Sequence, residues 1–175
     1  LKVWFVACGR LLMGAGHGAP QQEFDRAFVF AEHPDHGFVV LRTSNKGGRG
    51  NFPGGRADAD DAGPVATAAR ELWEETGVDV RQTLERLVPV VSDRHEGRAT
   101  FHLCLRAQDS VPDGTLISGT QFRIRLSPEH TEAWFESGGR VAAATGEHSG
   151  GHPARIFAEF WARRQQGTVA MGDVE

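Results

Sequence analysis

The residues best suited to chemistry are three glutamates, Glu71, Glu74 and Glu75, in a segment with helical periodicity. At 100° per residue, a helix places them on one turn within an arc of about 100° beside its apolar face. Glu71 and Glu75 form a like-charged i, i+4 pair, which costs a few tenths of a kcal/mol unless a positive group lies between them. Clustered carboxylates favour Mg²⁺ or Mn²⁺ over zinc, so the pattern indicates a divalent-cation site. A solvated acidic helix face is the alternative.

A glycine-rich segment precedes this helix. Thr43 to Gly55 contains five glycines in thirteen residues and no periodicity, which predicts a loop. Its last residues, Phe52-Pro53-Gly54-Gly55, can turn tightly and bring the backbone close to whatever the carboxylates hold. The segment has no GxxxxGK[ST] pattern and no GxGxxG between a strand and a helix, which excludes those two nucleotide-binding folds.

Gly55 and the run from Arg70 to Val78 resemble the Nudix box. The family pattern is a glycine, five residues, a glutamate, seven residues and REUxEExGU, with U aliphatic, and the run Arg-Glu-Leu-Trp-Glu-Glu-Thr-Gly-Val meets every closing position. The resemblance implies an α/β (α+β) fold, the Nudix-type α/β/α sandwich with a mixed β-sheet and flanking helices. It also implies structural roles for Gly55 and Gly77, and it implies that Arg70 pairs with a box carboxylate.

The spacing before the helix departs from the family pattern. The first acid of the pattern falls on Asp61, which is followed by eight residues before Arg70 where the family has seven. Asp61 is also shorter than the usual glutamate. The resemblance therefore gives Asp61 at most an outer metal contact and makes Glu71, Glu74 and Glu75 the main ligands.

The activity implied by the resemblance is that of a Mg²⁺- or Mn²⁺-dependent pyrophosphohydrolase, in which metal-activated water cleaves a phosphoanhydride bond. The substrate would be a nucleoside diphosphate linked to another moiety, or a nucleoside triphosphate. A non-nucleotide or biosynthetic diphosphate is the alternative within this class. A catalytically inactive ligand-binding or interaction module is the alternative from another class.

Further candidate residues lie outside the helix. Three loop cations could contact the substrate phosphates: Lys46, Arg49 and Arg56. The general base could be a box glutamate or an acid of the loop before the strand at Trp134, and the sequence leaves four residues open: Glu74, Glu75, Glu129 and Glu132.

The elements that position these residues can be read from periodicity. Strands are predicted over residues 26–30, 38–41, 87–91, 100–106, 121–126 and 131–135. Helices are predicted over residues 65–76 and 153–165, the first bounded by Pro64 and Gly77. A hairpin turn is predicted at residues 33–37. In the strand at 100–106, alternation predicts that Thr100, His102 and Cys104 point outward, away from the core.

Two segments are expected along the chain. Residues 1–23 form an N-terminal appendage, with a strand at Val3 to Cys8 and a glycine-rich loop, and residues 24–175 form the Nudix domain. The N-terminal strand could pair with a partner's sheet edge as easily as with its own, which leaves a homodimer open.

The composition limits the classes of partner that we expect the chain to bind. The chain has 175 residues, 39% of them hydrophobic, and a formal net charge of -4, which argues against a dedicated surface for long nucleic acids. No apolar run approaches the roughly 20 residues that span a bilayer, so no membrane partner is expected. Two cysteines, Cys8 and Cys104, without metal-type spacing favour a reducing cytoplasm.

The charge is unevenly distributed. The segment from Asp58 to Asp79 holds seven acidic residues and one arginine, a local charge of -6, so the rest of the chain carries +2. Such a concentrated acidic site needs a divalent cation before it can receive a diphosphate.

Overall fold

The computed structural model of the chain describes residues 25–43, 50–90, 97–145 and 152–167. Nine strands are described: β1 (Arg26–His33), β2 (Gly37–Thr43), β3 (Gly50–Asn51), β4 (Gly54–Arg56), β5 (Val88–Pro89), β6 (Arg98–Cys104), β7 (Thr115–Leu116), β8 (Arg123–Ile124) and β9 (His130–Glu136). Three α-helices accompany them: α1 (Pro64–Thr76), α2 (Gly138–Ala144) and α3 (His152–Gln165). Short 3₁₀ turns lie at Leu84–Arg86 and Ala107–Asp109.

Seven strands form one mixed sheet. Its main path runs β3-β2-β1-β6-β5, with β4 paired to β1 and β9 paired to β2. The β1 and β6 strands are parallel, and the other pairs are antiparallel. The β1 and β2 strands pair only beside their turn, and β4 pairs with the far end of β1. Strands β7 and β8 form a separate two-stranded sheet.

Helices cover both faces of the sheet. One core cluster joins α1 to alternate residues of β1, including Ala27, Val29 and Ala31. The second cluster lies on the other face and joins Phe30 of β1 to residues of α2 and α3. A strand covered on both faces is apolar throughout, which explains the continuous run in β1. The predicted α/β/α sandwich with a mixed sheet is confirmed.

The covered second face corrects the prediction for β6. Thr100 was expected to point outward, but it is only 2% exposed. The ring of His102, two residues later, lies 5.3 Å from the ring of Phe160 in α3. The side chains of β6 do alternate between two faces, but the face that carries the polar residues packs against a helix instead of facing solvent. Cys104, at the end of the strand, is exposed as predicted.

The helix that carries the box has the predicted limits. Pro64 is its first residue, and Gly77 ends it in the left-handed conformation with φ 73°, donating its N–H to the carbonyl of Trp73 at 2.8 Å. Its buried residues are Thr67, Ala68, Ala69, Leu72 and Thr76. Leu72 is fully buried, so the glutamates beside it lie at the border between core and solvent.

Other elements differ from the prediction. The glycine-rich loop contains β3 and β4, because Asn51 pairs with Leu41 and Gly55 pairs with Ala27. The predicted strand at 121–126 is reduced to β8, since the N–H of Phe122 bonds to Thr120 and the N–H of Arg125 bonds to a carbonyl of α1. Helix α2 was not predicted.

The N-terminal strand predicted at Val3 to Cys8 lies outside the described residues. Within the described residues, each helix is too short or too polar to cross a bilayer.

Candidate active site

Helix α1 places the three glutamates in different degrees of burial. The side chains of Glu71 and Glu75 are 14% and 13% exposed, and that of Glu74 is 45% exposed. Burial raises the pKa of Glu71, although the guanidinium of Arg70 opposes the shift. Two nearly buried carboxylates on one turn are costly for the fold unless a cation or hydrogen-bond donors meet them.

Strand β4 brings the glycine backbone against these carboxylates. A Cβ atom at Gly55 would lie 2.5 Å from the carboxylate of Glu71, so only glycine permits this approach. The N–H of Gly54 donates to Oε2 of Glu75 at 2.8 Å. Gly54 has φ 150° and lies against Ala27 of β1, where a Cβ would be 2.2 Å from the carbonyl oxygen. The pairing of β4 with β1 therefore fixes the distance between backbone and carboxylates.

Glu75 is the most perturbed acid of the site. Its burial raises its pKa to about 8; the hydrogen bond from Gly54 opposes this shift, and the negative charges of Glu71, Glu129 and Glu74 add to it. On the other carboxylate oxygen, Nε2 of His130 lies 3.5 Å from Oε1. Among the described residues, no lysine or arginine forms an ion pair with Glu75.

Arg70 links the acids on the outer side of the helix. Its Nε and Nη2 donate to both oxygens of Asp61 at 3.1 and 2.9 Å, a two-pronged pairing that suits a carboxylate. Its Nη1 donates to Glu71 at 3.0 Å and to Glu74 at 2.9 Å. Its Nη2 also donates to the carbonyl of Arg56 at 2.7 Å, which ties the helix to β4.

Asp61 is committed to these contacts. Besides Arg70, it accepts hydrogen bonds from the hydroxyl of Thr67 at 2.7 Å and from the N–H of Asp58 at 2.9 Å. The hydrogen bond from Arg70 is the main reason that the pKa of Asp61 falls to about 2. In this structure Asp61 therefore anchors the arginine and the loop before α1.

The predicted loop acids occupy different places. Glu129 lies in the loop before β9, exposed and close enough for its charge to raise the pKa of Glu75. Glu132 lies on β9 opposite Arg42 of β2, and the two side chains form an ion pair at 3.2 Å. The fold therefore brings Glu129 to the box and pairs Glu132 elsewhere.

Of the three cations predicted to contact the substrate phosphates, the structure describes one. Arg56 is exposed at the end of β4, next to the box backbone. Lys46 and Arg49 lie outside the described residues.

An open depression of about 320 Å³ adjoins Glu74 at the carboxyl-terminal end of α1. Its lining comprises Trp73, Glu74, Arg125, Leu126, Ser127 and Pro128. The guanidinium of Arg81 lies 3.7 Å from the ring centroid of Trp73, which helps to hold the indole in place.

The sequence reasoning missed His130 and Ser127. It singled out their segment only for its acids, and a lone histidine before a strand carries no sequence signal for a contact with a helix far upstream. The segment reaches α1 because two carbonyls left free at the helix end accept its N–H groups. Arg125 N–H bonds to Thr76 O at 2.7 Å, and Ser127 N–H bonds to Glu75 O at 3.2 Å.

The donor chemistry of the box fits a hard divalent cation. Glu71, Glu74 and Glu75 offer only carboxylate oxygens, which Mg²⁺ and Mn²⁺ prefer. Burial is the main cause of the raised pKa values of Glu71 and Glu75, and the charges of neighbouring acids add to it. Within the described residues, no three or more His, Cys, Asp or Glu side chains are grouped so that they could hold a metal ion. Arg70 supplies the positive charge that joins Glu71 to Glu74.

The fold is shared with solved structures. A MutT protein from Methanosarcina mazei Go1 is 18% identical with a TM-score of 0.51, covering 84% of this chain and 99% of that one. An Ap4A hydrolase from C. elegans is 17% identical with a TM-score of 0.54, covering 78% and 98%. A dihydroneopterin triphosphate pyrophosphohydrolase from E. coli is 16% identical with a TM-score of 0.56, covering 79% and 94%. At these identities the likeness shows the fold alone. No curated protein matches the chain significantly.

The family model described as the NUDIX domain matches residues 24–138, more than half of the chain and the whole of the box. The chain therefore belongs to the Nudix hydrolase family, whose members act on pyrophosphate bonds and generally use divalent metal ions.

Proposed function

We propose that this protein is a Mg²⁺- or Mn²⁺-dependent pyrophosphohydrolase that cleaves a phosphoanhydride bond in a nucleoside diphosphate linked to another moiety, or in a nucleoside triphosphate. One observation carries the proposal: Glu71 and Glu75, both nearly buried, face the glycine backbone of β4, and the one arginine of the helix bonds to Glu71 and Glu74 but not to Glu75. Burying two acidic side chains, one of them without a lysine or arginine partner among the described residues, is unfavourable for a helix that has only a structural role.

The residues that would hold the cation are Glu71, Glu74 and Glu75. When bound, a divalent cation neutralises charge on the phosphate oxygens and lowers the pKa of water. The glycine backbone holds Glu71 and Glu75 at fixed positions, and Arg70 is free to remain on Asp61 while it releases the two glutamates. Asp61 is in this proposal the partner of Arg70 and not a metal contact.

In the hydrolytic step the oxygen of water forms a bond to phosphorus and the bond between phosphorus and the bridging oxygen breaks. The leaving phosphate takes the electron pair of the broken bond, and a carboxylate takes the proton of the water. Among the loop acids Glu129 is the better candidate for that base, because it lies near Glu75 whereas Glu132 is paired with Arg42. Glu74, the most exposed box acid, is the alternative.

Arg56 is the described cation best placed to meet the substrate phosphates, and we keep Lys46 and Arg49 of the preceding loop as further candidates. The division of the chain at residues 23 and 24, a homodimer and a cytoplasmic location also remain proposals. The acidic site favours a small substrate that arrives with its cation over a long nucleic acid.

The test is a hydrolysis screen with Mg²⁺. The substrates are a nucleoside triphosphate, a nucleoside diphosphate sugar, Ap4A, dihydroneopterin triphosphate and a non-nucleotide diphosphate. Release of phosphate or pyrophosphate is measured for the wild type, for Glu74→Gln and for the matched control Glu85→Gln, an exposed glutamate of the first 3₁₀ turn.

We expect hydrolysis of at least one substrate, loss of that hydrolysis in EDTA, and a drop of about 10²-fold or more in Glu74→Gln with none in Glu85→Gln. Turnover that is indifferent to EDTA and to Glu74→Gln would show that the site is wrongly assigned. Tight binding of a nucleotide without turnover would instead favour the inactive binding module.

A further inference from the structure

We propose that His130 is a positioning residue that fixes the carboxylate of Glu75 for cation binding, and that Ser127 sets the tautomer in which it does so. The inference rests on the proposed function, because it assigns to Glu75 the role of a cation ligand. In this proposal, His130 touches neither the substrate nor the reacting water and acts through Glu75.

The position of His130 is defined by contacts on both ring nitrogens. Its side chain is only 3% exposed, with Nε2 lying 3.5 Å from Oε1 of Glu75 and Nδ1 lying 2.9 Å from the hydroxyl of Ser127. A buried imidazole with a partner at each nitrogen has one favoured ring orientation. His130, the first residue of β9, thus lies between Ser127 of the preceding loop and the helix that carries Glu75.

The partners decide which nitrogen carries the proton. A carboxylate that binds a cation is ionised and can only accept hydrogen bonds. The nitrogen that faces Glu75 must then be the N–H, so Nδ1 is the acceptor and the Ser127 hydroxyl donates to it. This arrangement needs only the neutral imidazole.

The two carboxylate oxygens of Glu75 then face N–H donors from different directions. Oε2 accepts the N–H of Gly54 at 2.8 Å, and Oε1 faces the N–H of His130. An ionised carboxylate has about four lone-pair positions, so each oxygen keeps one for a cation. The hydrogen bond on Oε2 and the imidazole next to Oε1 together favour one orientation of the carboxylate, which a shorter contact to His130 in the cation-bound state would fix.

The backbone makes this support rigid. The N–H of Ser127 donates to the carbonyl of Glu75 itself at 3.2 Å, and the N–H of His130 donates to the carbonyl of Ser127 at 3.0 Å. The loop is therefore bonded to the residue whose side chain it orients. Partners of this kind around metal ligands change metal affinity by about 10- to 100-fold when they are removed.

The test measures Mn²⁺ binding in the absence of substrate by electron paramagnetic resonance at one fixed pH. His130→Phe keeps the volume of the ring but removes both nitrogens, and His130→Gln keeps an N–H donor. The matched control is His102→Phe, because His102 also contacts a glutamate, Glu32, at 2.9 Å, and its side chain is partly buried. Thermal unfolding is recorded for every variant.

We expect His130→Phe to weaken Mn²⁺ binding by at least about tenfold, His130→Gln to restore most of the affinity, and His102→Phe to lower thermal stability with no change in Mn²⁺ affinity. We also expect Ser127→Ala to weaken Mn²⁺ binding by less than His130→Phe does. With a substrate that the wild type hydrolyses, we expect the kcat of His130→Phe to fall by a larger factor than its KM rises.

Wild-type affinity in His130→Phe, or an equal loss in His102→Phe, would overturn the proposal, as would a wild type that binds no Mn²⁺. A wild type that binds Mn²⁺ through His130-dependent contacts but hydrolyses nothing would overturn the proposed function alone. The two failures are therefore distinguishable.

Discussion

Two glutamates on opposite faces of the sheet are buried to the same extent and differ in their partners. The side chains of Glu32 and Glu75 are each 13% exposed, and each lies beside a histidine. Glu32, on β1, also pairs with Arg164 of α3. Glu75, on α1, has the N–H of Gly54 instead of an arginine.

The partners shift the pKa values of the two acids in opposite directions. Burial raises the pKa of Glu32, but hydrogen bonds from His102 and Arg164 outweigh it, and the pKa lies below its ordinary value. Burial raises the pKa of Glu75 to about 8 because the single hydrogen bond from Gly54 does not compensate for it. On the α3 side, the nearly buried glutamate has an arginine beside it. On the α1 side, no described lysine or arginine pairs with Glu75, and we propose that this side receives a divalent cation.

The largest effect should come from exchanging each acid for its amide. Glu75→Gln should lower turnover by about 10²-fold or more, since a ligand of a catalytic cation contributes several kcal/mol, and it should leave thermal stability unchanged or raised. Glu32→Gln should lower stability and leave turnover intact. Steady-state hydrolysis and thermal unfolding of both variants check this, and a loss of turnover in Glu32→Gln would contradict the separation of the two faces.

Removing the cation on the α3 side should cost stability alone. Arg164→Met leaves Glu32 with His102 as its ion-pair partner among the described residues, and removing one partner of a nearly buried carboxylate costs about 1–3 kcal/mol. The matched control Arg163→Met removes an exposed charge from the same helix end and should change stability by less than about 0.5 kcal/mol. Denaturant unfolding measures both. Equal stabilities of the two variants would show that the pair between Arg164 and Glu32 does not stabilise the fold.

A smaller effect is expected from a methyl group placed against Glu71. Gly55→Ala puts a Cβ 2.5 Å from the carboxylate, which the flexible side chain avoids by moving. We expect Mn²⁺ affinity to fall by about tenfold with little change in stability. The control Gly139→Ala adds a methyl group to α2 with no atom within 4 Å, and it should leave Mn²⁺ affinity unchanged. Unchanged affinity in Gly55→Ala would remove Glu71 from the site.

The two acids should also differ in the pH dependence of stability, measured by thermal unfolding in EDTA. The folded protein holds a proton on Glu75 up to about pH 8, whereas the unfolded chain releases it near 4.5. The contribution of Glu75 to stability is therefore present below pH 4.5 and is lost as the pH rises to about 8. Glu75→Gln should flatten that decline.

Glu32 should show the opposite sign. Its folded pKa lies below the ordinary value of 4.5, so its contribution is present above pH 4.5 and is lost as the pH falls through the folded value. Glu32→Gln should reduce the loss of stability in acid. A decline between pH 4.5 and 8 that persists in Glu75→Gln would place its origin in another group.

Much of the fold could be predicted because local signals and tertiary structure agree. Helix α1 has apolar spacing, a proline at its start and a glycine at its end, and these alone determine its limits. Helix α2 begins with two glycines and has no such signals. It forms beside α3, where Gly138 lies against the ring of Trp161, and a Cβ there would be 2.3 Å from that ring.

The candidate site could be predicted only where its residues are close in sequence. The three glutamates Glu71, Glu74 and Glu75 share one helical turn, so their spacing alone predicts a divalent-cation site. The contacts of Glu75 with Gly54 and His130 depend on the pairing of β4 with β1 and on loop N–H groups that satisfy the end of α1. No local pattern encodes those pairings, which is why His130 and the anchoring role of Asp61 emerged from the structure alone.

We propose that the carboxylates of helix α1 receive a divalent cation. Crystals grown with Mn²⁺ and recorded at a wavelength where manganese scatters anomalously test it most directly. We expect an anomalous peak at the carboxylates of Glu71 and Glu75, with Arg70 still on Asp61 and withdrawn from Glu71. A structure in which Arg70 keeps its contacts with Glu71 and Glu74, and no anomalous peak lies at the box, would contradict it.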